Sequence, residues 1–233
     1  MTHGRLRARV LTFDLFSALV DSRTGGSRAL DALAHRRGWP VSGERLYDAW
    51  DSLNKQAHQE CTAWVPFAEL AREAFSRALS QLGLDGDPEA GTRHLLGSVG
   101  HWPLWPDVET GLPALRGKGF QIGLLSNVDD DVFARTRAAR LVDPDAVLTS
   151  ERLRAYKPHR EIYHRARDAL PGMVHVATSA RDVRGATEAG IPFVRLRRPG
   201  HRLAPGTPPP PHEVCSVLEL ADVVAAGGDS TTT

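Results

Sequence analysis

Short apolar runs and amphipathic stretches alternate along most of this chain. The runs predict buried strands, because each is too short for a buried helix and is bounded by polar or turn-forming residues. They cover residues 10–13, 120–125, 146–149, 173–177 and 193–196. Helical spacing of apolar residues predicts helices over 112–118, 130–140, 159–169, 182–189 and 217–225. Strands that alternate with helices favour βαβ units, so we expect an α/β fold with a parallel sheet.

The stretch between the first and second predicted strands has a different pattern. From about Ser27 to His101, apolar residues recur at helical spacing, and Gly83 stops one of these helices. We therefore expect an α/β core formed by residues 1–21 and 103–226, with a helical insertion over 22–102. Pro205 to Pro211 contains five prolines and predicts a surface connector. The small polar residues 227–233 predict a disordered tail.

Composition narrows the function classes without choosing one. Of the 233 residues, 41% are apolar, and the net charge of +1 gives no argument for a nucleic-acid or membrane partner. The N-terminus lacks the apolar region of a signal peptide, and no apolar run reaches the roughly 18 residues that span a bilayer. Cys61 and Cys215 are far apart in sequence and lack metal-ligand spacing. That favours reduced thiols in a cytoplasmic protein.

Polar side chains that can do chemistry follow the predicted strands. Asp14 ends the first strand, Ser126 and Asn127 end the second, and Lys157 and Asp182 follow the next two. Because parallel strands end at one edge of a sheet, these groups can converge there. A carboxylate can form a covalent ester, and a nearby lysine keeps it ionised. A hydroxyl can donate to a substrate oxygen, and the second carboxylate can orient the lysine or a water.

Each of these residues also has a purely structural alternative. Asp14 can cap the turn that follows its strand, Ser126 and Asn127 can cap the next helix, and Asp182 can be a first-turn acid favoured by a helix dipole. The convergence of all of them at one edge favours catalysis.

Taken in order, with a helical insertion after the first, these segments resemble the haloacid dehalogenase superfamily. The resemblance runs from Asp14 to the segment 211–220. It implies a Rossmann-like core with a helical cap over residues 22–102. It also implies Asp14 as the covalent nucleophile, Ser126 as the hydroxyl of the second motif, Lys157 as the cation of the third and Asp182 as the carboxylate of the fourth.

Two positions distinguish the branches of this superfamily. Phe16 stands where its phosphatases usually carry a second aspartate, and Ala177 stands where they carry one of the acids that hold Mg²⁺. Both departures favour the 2-haloacid dehalogenase branch, which needs neither the extra acid nor a metal, so no cofactor is expected. The Tyr-Lys-Pro sequence around Lys157 also matches that branch. The resemblance implies substrate contacts from Leu15, Phe16, Ser126, Asn127, Tyr163 and Ser179.

Other positions depart from the dehalogenase pattern. Ala18 replaces a usual threonine, and if Trp50 is the tryptophan of the cap helix, Asp51 replaces the arginine that helps to hold the departing halide. A carboxylate repels a halide, so another cation must act there. The sequence offers three candidates: Arg36, Arg37 and Arg181.

These departures leave two alternative functions open beside a small-molecule dehalogenase. One is an Mg²⁺-dependent phosphatase acting on small metabolites, in which Asp14 and Asp182 would hold the metal. The other is a catalytically weakened member that only binds a ligand or partner. The resemblance is also compatible with a homodimer formed through the cap or the core.

Overall fold

The computed structural model describes residues 5–203 and 206–227, and its centre is a parallel sheet. Its strands are β1 (Leu6–Ala8), β2 (Val10–Phe13), β3 (Gln121–Ser126), β4 (Val147–Thr149), β5 (Met173–Ala177), β6 (Phe193–Leu196), β7 (Glu213–Val214) and β8 (Val224–Ala226). Strands β2 to β7 form a six-stranded sheet in the order β4-β3-β2-β5-β6-β7, and all its pairings are parallel. This confirms the predicted α/β class.

Helices fill most of the connections between these strands. They are α1 (Ser22–Arg37), α2 (Gly43–Glu60), α3 (Phe67–Leu82), α4 (Pro88–Gly97), α5 (Val108–Gly117), α6 (Asp130–Ala134), α7 (Ser150–Leu153), α8 (Arg160–Ala169), α9 (Ala180–Ala189) and α10 (Leu220–Val223). None of them is long and apolar enough to cross a membrane.

The order of the strands places one crevice at the centre of the sheet. From β2 the chain first adds β3 and β4 on one side and later adds β5, β6 and β7 on the other. Ligands bind in open α/β sheets where the strand order reverses, outside the carboxyl ends of the strands. Phe13, the last residue of β2, pairs with Leu124 and Val176. The next residue, Asp14, therefore stands in that crevice.

Helices α1 to α4 form the segment between β2 and α5. The Asp21 carboxylate accepts a hydrogen bond from the Thr24 N–H and caps α1. Gly83 ends α3 in the left-handed conformation, as the sequence predicted. The chain enters and leaves this segment side by side, because the Asp21 N–H donates to the Pro103 carbonyl at 2.9 Å. The division into a core and a cap over residues 22–102 stays a prediction.

Two predicted helices were wrong in extent. The helix predicted over 130–140 ends at Ala134, because the Thr136 hydroxyl binds the Phe133 carbonyl, and a 3-10 turn follows. The helix predicted over 217–225 is a 3-10 turn, the short α10 and then β8. Strand β8 forms because it pairs with β1, a contact between distant parts of the chain.

Other differences concern elements that the pattern did not single out. Strands β1 and β7 and helix α7 were not predicted, and α4 lies within the stretch of predicted helical spacing without having been given bounds of its own. Of the predicted connector, Pro205 lies outside the described residues, and 206–211 contain no helix or strand. Of the predicted tail, Gly227 donates its N–H to the Ala8 carbonyl at 2.8 Å, and residues 228–233 lie outside the described residues.

Candidate active site

A cavity of about 540 Å³ opens where the sheet meets helices α1 and α2. Most of the predicted site residues line it, namely Asp14, Phe16, Ser126, Asn127, Lys157, Ser179 and Asp182. Leu15 and Tyr163 are not among its lining residues, and both side chains are fully buried. The convergence expected from the strand ends is therefore present.

Asp14 is held from two sides. Its Oδ1 accepts hydrogen bonds from Lys157 Nζ at 2.7 Å and from Ser126 Oγ at 3.1 Å. Its Oδ2 accepts from the Ser17 N–H at 3.0 Å and from the Ser17 hydroxyl. Burial raises the pKa of Asp14, but the Lys157 ammonium and the hydrogen bonds outweigh burial, so the net pKa lies below its ordinary value. The carboxylate is therefore ionised and fixed, as a nucleophile must be.

Lys157 lies between two carboxylates. Its Nζ is 2.7 Å from Asp14 Oδ1 and 2.8 Å from Asp182 Oδ2. Burial lowers the pKa of Lys157, but the two carboxylates more than compensate, so the net pKa is raised. Burial likewise raises the pKa of Asp182, and Lys157 and His175 reverse this to a value well below the ordinary one. The site thus holds one ammonium and two carboxylates, all charged at neutral pH.

Asp182 is anchored by a buried network behind the cavity. Tyr163 donates its hydroxyl to Asp182 Oδ1 at 2.7 Å. His175 Nε2 lies 3.0 Å from Asp182 Oδ2, and its Nδ1 lies 3.1 Å from both the carbonyl and the hydroxyl of Thr12. These contacts leave Asp182 no freedom to turn away from Lys157.

The remaining predicted residues shape the loops of the site. Asn127 accepts from the Lys157 N–H at 2.7 Å and donates to the Lys157 carbonyl at 2.9 Å, so its amide clamps the loop that carries the lysine. The Leu15 N–H faces Ser126 Oγ at 3.4 Å. Ser179 caps α9 by accepting from the Asp182 N–H.

Sequence reasoning missed two residues that contact the site carboxylates. Ser17 follows Asp14 by three residues, the spacing at which an aspartate accepts from a backbone N–H, and this spacing was the available signal. His175 is a fully buried polar residue inside the apolar strand β5, which was the second signal. The Ser17 hydroxyl donates to Asp14, whereas Ala18, which replaces a usual threonine, has no hydroxyl to offer.

The wall of the cavity formed by α2 is polar. Asp51 and Lys55 form an ion pair there, and Asn54 and His58 lie on the same wall. Phe67 of α3 lines the cavity and stacks on Phe16, with 6.2 Å between ring centroids.

Of the three candidate replacement cations, the structure brings only one into the cavity. Arg181 lines it, whereas Arg36 and Arg37 are not among its lining residues. Arg36 instead contacts the His94 ring at 3.3 Å.

The carboxylates of the site do not fit a divalent cation. Asp14 Oδ1 and Asp182 Oδ2 both contact Lys157 Nζ, and Asp182 Oδ1 binds Tyr163 and His175. A hard cation needs several free oxygen ligands, and here an ammonium lies between the two carboxylates. Within residues 5–203 and 206–227, no group of three or more acidic, histidine or cysteine side chains could hold a metal ion.

Known proteins are similar to this chain in sequence and in fold. A family of haloacid dehalogenase-like hydrolases matches residues 8–190. The (S)-2-haloacid dehalogenase 4A of Burkholderia cepacia is 27% identical over 226 residues, covering 93% of this chain and 95% of that protein. Phosphoglycolate phosphatase of Escherichia coli O157:H7 is 26% identical over 205 residues, 81% of each chain. The crystal structure of a dehalogenase aligns with a TM-score of 0.77 at 27% identity, covering 94% of this chain and 97% of that one.

Proposed function

Because this chain belongs to the haloacid dehalogenase-like hydrolases, we propose that it hydrolyses a small 2-haloacid through an ester formed on Asp14. One observation carries the proposal. Lys157 lies within 2.8 Å of both Asp14 and Asp182, and so keeps Asp14 ionised and oriented for attack on carbon. The similarity to an (S)-2-haloacid dehalogenase supports the same chemistry.

In the first step, an oxygen of Asp14 attacks the carbon that bears the halogen. The new carbon–oxygen bond forms as the carbon–halogen bond breaks, and the halide leaves with the bonding electron pair. Lys157 keeps Asp14 ionised until the attack. We assign Ser126 and Asn127 to the carboxylate of the substrate, because both line the cavity beside Asp14.

In the second step, water attacks the carbonyl carbon of the Asp14 ester. The bond to the substrate oxygen breaks, the product leaves as a 2-hydroxyacid, and Asp14 regains its second oxygen from the water. One proton goes to solvent, so a haloacid and water give a hydroxyacid, a halide and a proton. We assign Asp182 to orient Lys157 and the attacking water.

The surroundings of the site support an enclosed reaction. We propose that residues 22–102 act as a cap, since α2 and α3 supply His58, Asn54 and Phe67 to the cavity wall. The expected ligand is a small molecule rather than a nucleic acid, and a homodimer remains an expectation. Both cysteines are free, which agrees with a proposed site of action in the reducing cytoplasm.

The test is halide release from a panel of 2-haloacids with EDTA present. Wild type should release halide, and Asp14→Asn should lower the rate by about 10³-fold or more, because the nucleophile is lost. Asp48→Asn is the control, since this aspartate lines the same cavity but pairs with Arg23. Retained turnover in Asp14→Asn would remove the ester mechanism.

Two other outcomes would select the alternatives. Phosphate release from small phosphate esters that requires added Mg²⁺ would establish a phosphatase and overturn the dehalogenase. The phosphatase assay is needed beside the halide assay because the chain is also similar to phosphoglycolate phosphatases. A ligand that raises the melting temperature without being turned over in either assay would establish a binding protein.

A further inference from the structure

Three polar side chains of the cavity wall have buried atoms without hydrogen-bond partners among the described residues. They are Oδ1 of Asn54, Nε2 of His58 and Nε of Arg181. Buried polar atoms are nearly always paired, because leaving one unpaired costs free energy. The proposed hydrolysis gives Asn54 and His58 no role, and it uses Arg181 only as the candidate cation for the departing halide. The unpaired nitrogens of His58 and Arg181 suit a ligand that accepts hydrogen bonds, and Asn54 can donate to the same ligand through its amide NH₂.

The three groups form one patch that spans two parts of the fold. Asn54 and His58 are one helical turn apart on α2 and therefore share a face. Arg181 lies in the first turn of α9, after β5. The His58 ring stacks on Tyr156 at 4.7 Å and on Phe67 at 5.5 Å, which fixes its orientation.

His58 is neutral, so the charge of the patch comes from Arg181. Burial, with Arg181, Lys55 and Lys157 nearby, lowers the pKa of His58 to about 3. A neutral imidazole offers one N–H donor and one acceptor, and Asn54 offers both through its amide. The patch therefore combines a guanidinium with two neutral hydrogen-bonding groups.

Arg181 differs from the other cations of the cavity wall. Lys157 pairs with Asp14 and Asp182, and Lys55 pairs with Asp51. Arg23 is likewise paired, with Asp48. Arg181 has no ion pair within the described part of the chain.

Most of the donors of Arg181 have no partner within residues 5–203 and 206–227. Its Nη2 donates a long hydrogen bond, 3.5 Å, to the Lys157 carbonyl. Burial lowers the pKa of Arg181, and the Asp51 carboxylate opposes that shift without reaching bonding distance. A planar guanidinium with free donors matches the two oxygens of a carboxylate.

We propose that Arg181, Asn54 and His58 form a subsite for a second carboxylate, so that the substrate is a 2-halodicarboxylate of four or five carbons. The inference rests on the proposed function, which assigns the first carboxylate to Ser126 and Asn127. A cavity of about 540 Å³ is much larger than a two- or three-carbon haloacid needs. The distal carboxylate accepts from Arg181 and from the N–H groups of the two α2 side chains.

The first experiment compares racemic 2-chlorosuccinate with racemic 2-chloropropionate. Wild type should have a kcat/KM at least about tenfold higher for the dicarboxylate, the effect of one charge-assisted hydrogen bond. Arg181→Gln and Asn54→Leu should each lower that ratio by about tenfold or more. Arg23→Gln is the matched control, because Arg23 lines the same cavity but is already paired. It should leave the ratio unchanged.

The second experiment separates this inference from the proposed function. Succinate and propionate are titrated into Asp14→Asn by calorimetry, with and without Arg181→Gln. Tighter binding of succinate that is lost with Arg181→Gln supports the subsite, even if no haloacid is turned over and the proposed function fails. Halide release with equal efficiency from both chloroacids overturns the subsite and leaves the proposed function intact. An equal loss in Arg23→Gln and Arg181→Gln would indicate general charge attraction and also overturn it.

Discussion

Asp14 and Lys157 form a buried ion pair, with 2.7 Å between Oδ1 and Nζ. The side chain of Lys157 is only 7% exposed, and that of Asp14 is 13% exposed. A buried pair is costly to break, because the partner left behind is an uncompensated charge. This pair therefore fixes the protonation states at the site, and several measurable consequences follow from it.

The pH dependence of catalysis should be flat across neutral pH. The folded pKa values of Asp14 and Asp182 lie below their ordinary range, and that of Lys157 lies above it. The acid limb of kcat/KM should fall below about pH 4 and the basic limb above about pH 10. A bell-shaped profile centred near pH 7 would contradict this assignment of charges.

The same shifts give the sign of the effect on stability. The stabilisation from the two carboxylates is present above their ordinary pKa and is lost as pH falls through the folded values. The stabilisation from Lys157 is present below its ordinary pKa and is lost as pH rises through the folded value. The measurement is the free energy of unfolding in urea as a function of pH. In Lys157→Met the loss of stability at high pH should disappear, and the loss at low pH should begin at a higher pH. Lys55→Met is the control, because Lys55 lines the same cavity but is 43% exposed. It should leave the pH dependence of the unfolding free energy unchanged at both ends.

Ser17→Ala should lower kcat by about tenfold, because Asp14 Oδ2 loses a hydrogen bond to a charged group. The Ser17 hydroxyl also lowers the pKa of Asp14, so its removal should move the acid limb of the pH profile upward. Stopped assays of halide release across pH measure both effects. The control is Ser22→Ala, whose hydroxyl lines the cavity but donates to the Phe16 carbonyl at 2.6 Å. An unchanged acid limb in Ser17→Ala would show that the hydroxyl is not needed at Asp14.

The sequence was sufficient to place the main catalytic candidates, because they follow apolar runs whose ends meet at one edge of a parallel sheet. Asp14, Lys157 and Asp182 are of this kind. The residues that hydrogen-bond to these side chains were harder to predict from the sequence. His175 lies inside a strand whose other positions are apolar, and only the tertiary structure brings its ring to Asp182.

The same limit applies to parts of the fold. The sequence pattern predicts a helix over the residues of β8, because Val224–Ala226 has no strand pattern of its own and forms a strand only by pairing with Leu6–Ala8. Asp129 directly precedes the predicted helix over 130–140, and nothing in the local pattern indicates a contact with α3. The structure buries it, and its carboxylate caps α3 by accepting from the N–H groups of Phe67 and Ala68. Both contacts join distant segments, which local periodicity does not record.

Tyr163→Phe separates a positioning role from a substrate contact. The Tyr163 hydroxyl donates to Asp182 at 2.7 Å, and its side chain is fully buried behind the cavity. Its loss should reduce kcat by roughly tenfold and change KM little, since Asp182 loses a hydrogen bond but the cavity wall is intact. The measurement is steady-state kinetics on a confirmed substrate. A rise in KM at constant kcat would instead support the substrate contact that the family resemblance implied.

Gly185→Ala tests how tightly this network is packed. A Cβ at Gly185 would lie 2.6 Å from the Tyr163 hydroxyl oxygen and 2.8 Å from the Pro158 carbonyl oxygen. Such overpacking should destabilise the protein by about 1–3 kcal/mol, measured by urea unfolding, and should reduce kcat by displacing Tyr163. Gly117→Ala is the control, because a Cβ at that helical position meets nothing within 4 Å.

Adding Tyr163→Phe to Gly185→Ala sharpens this test. Phenylalanine removes the oxygen at 2.6 Å but leaves the ring carbon Cε2 at 2.7 Å and the Pro158 carbonyl in place. The double variant should therefore be somewhat less destabilised than the sum of the single changes. Strict additivity would show that the steric conflict lies with the Tyr163 ring carbon and the Pro158 backbone rather than with the hydroxyl. In that case the loss of kcat in Gly185→Ala should not depend on the Tyr163 hydroxyl, and the two activity effects should multiply.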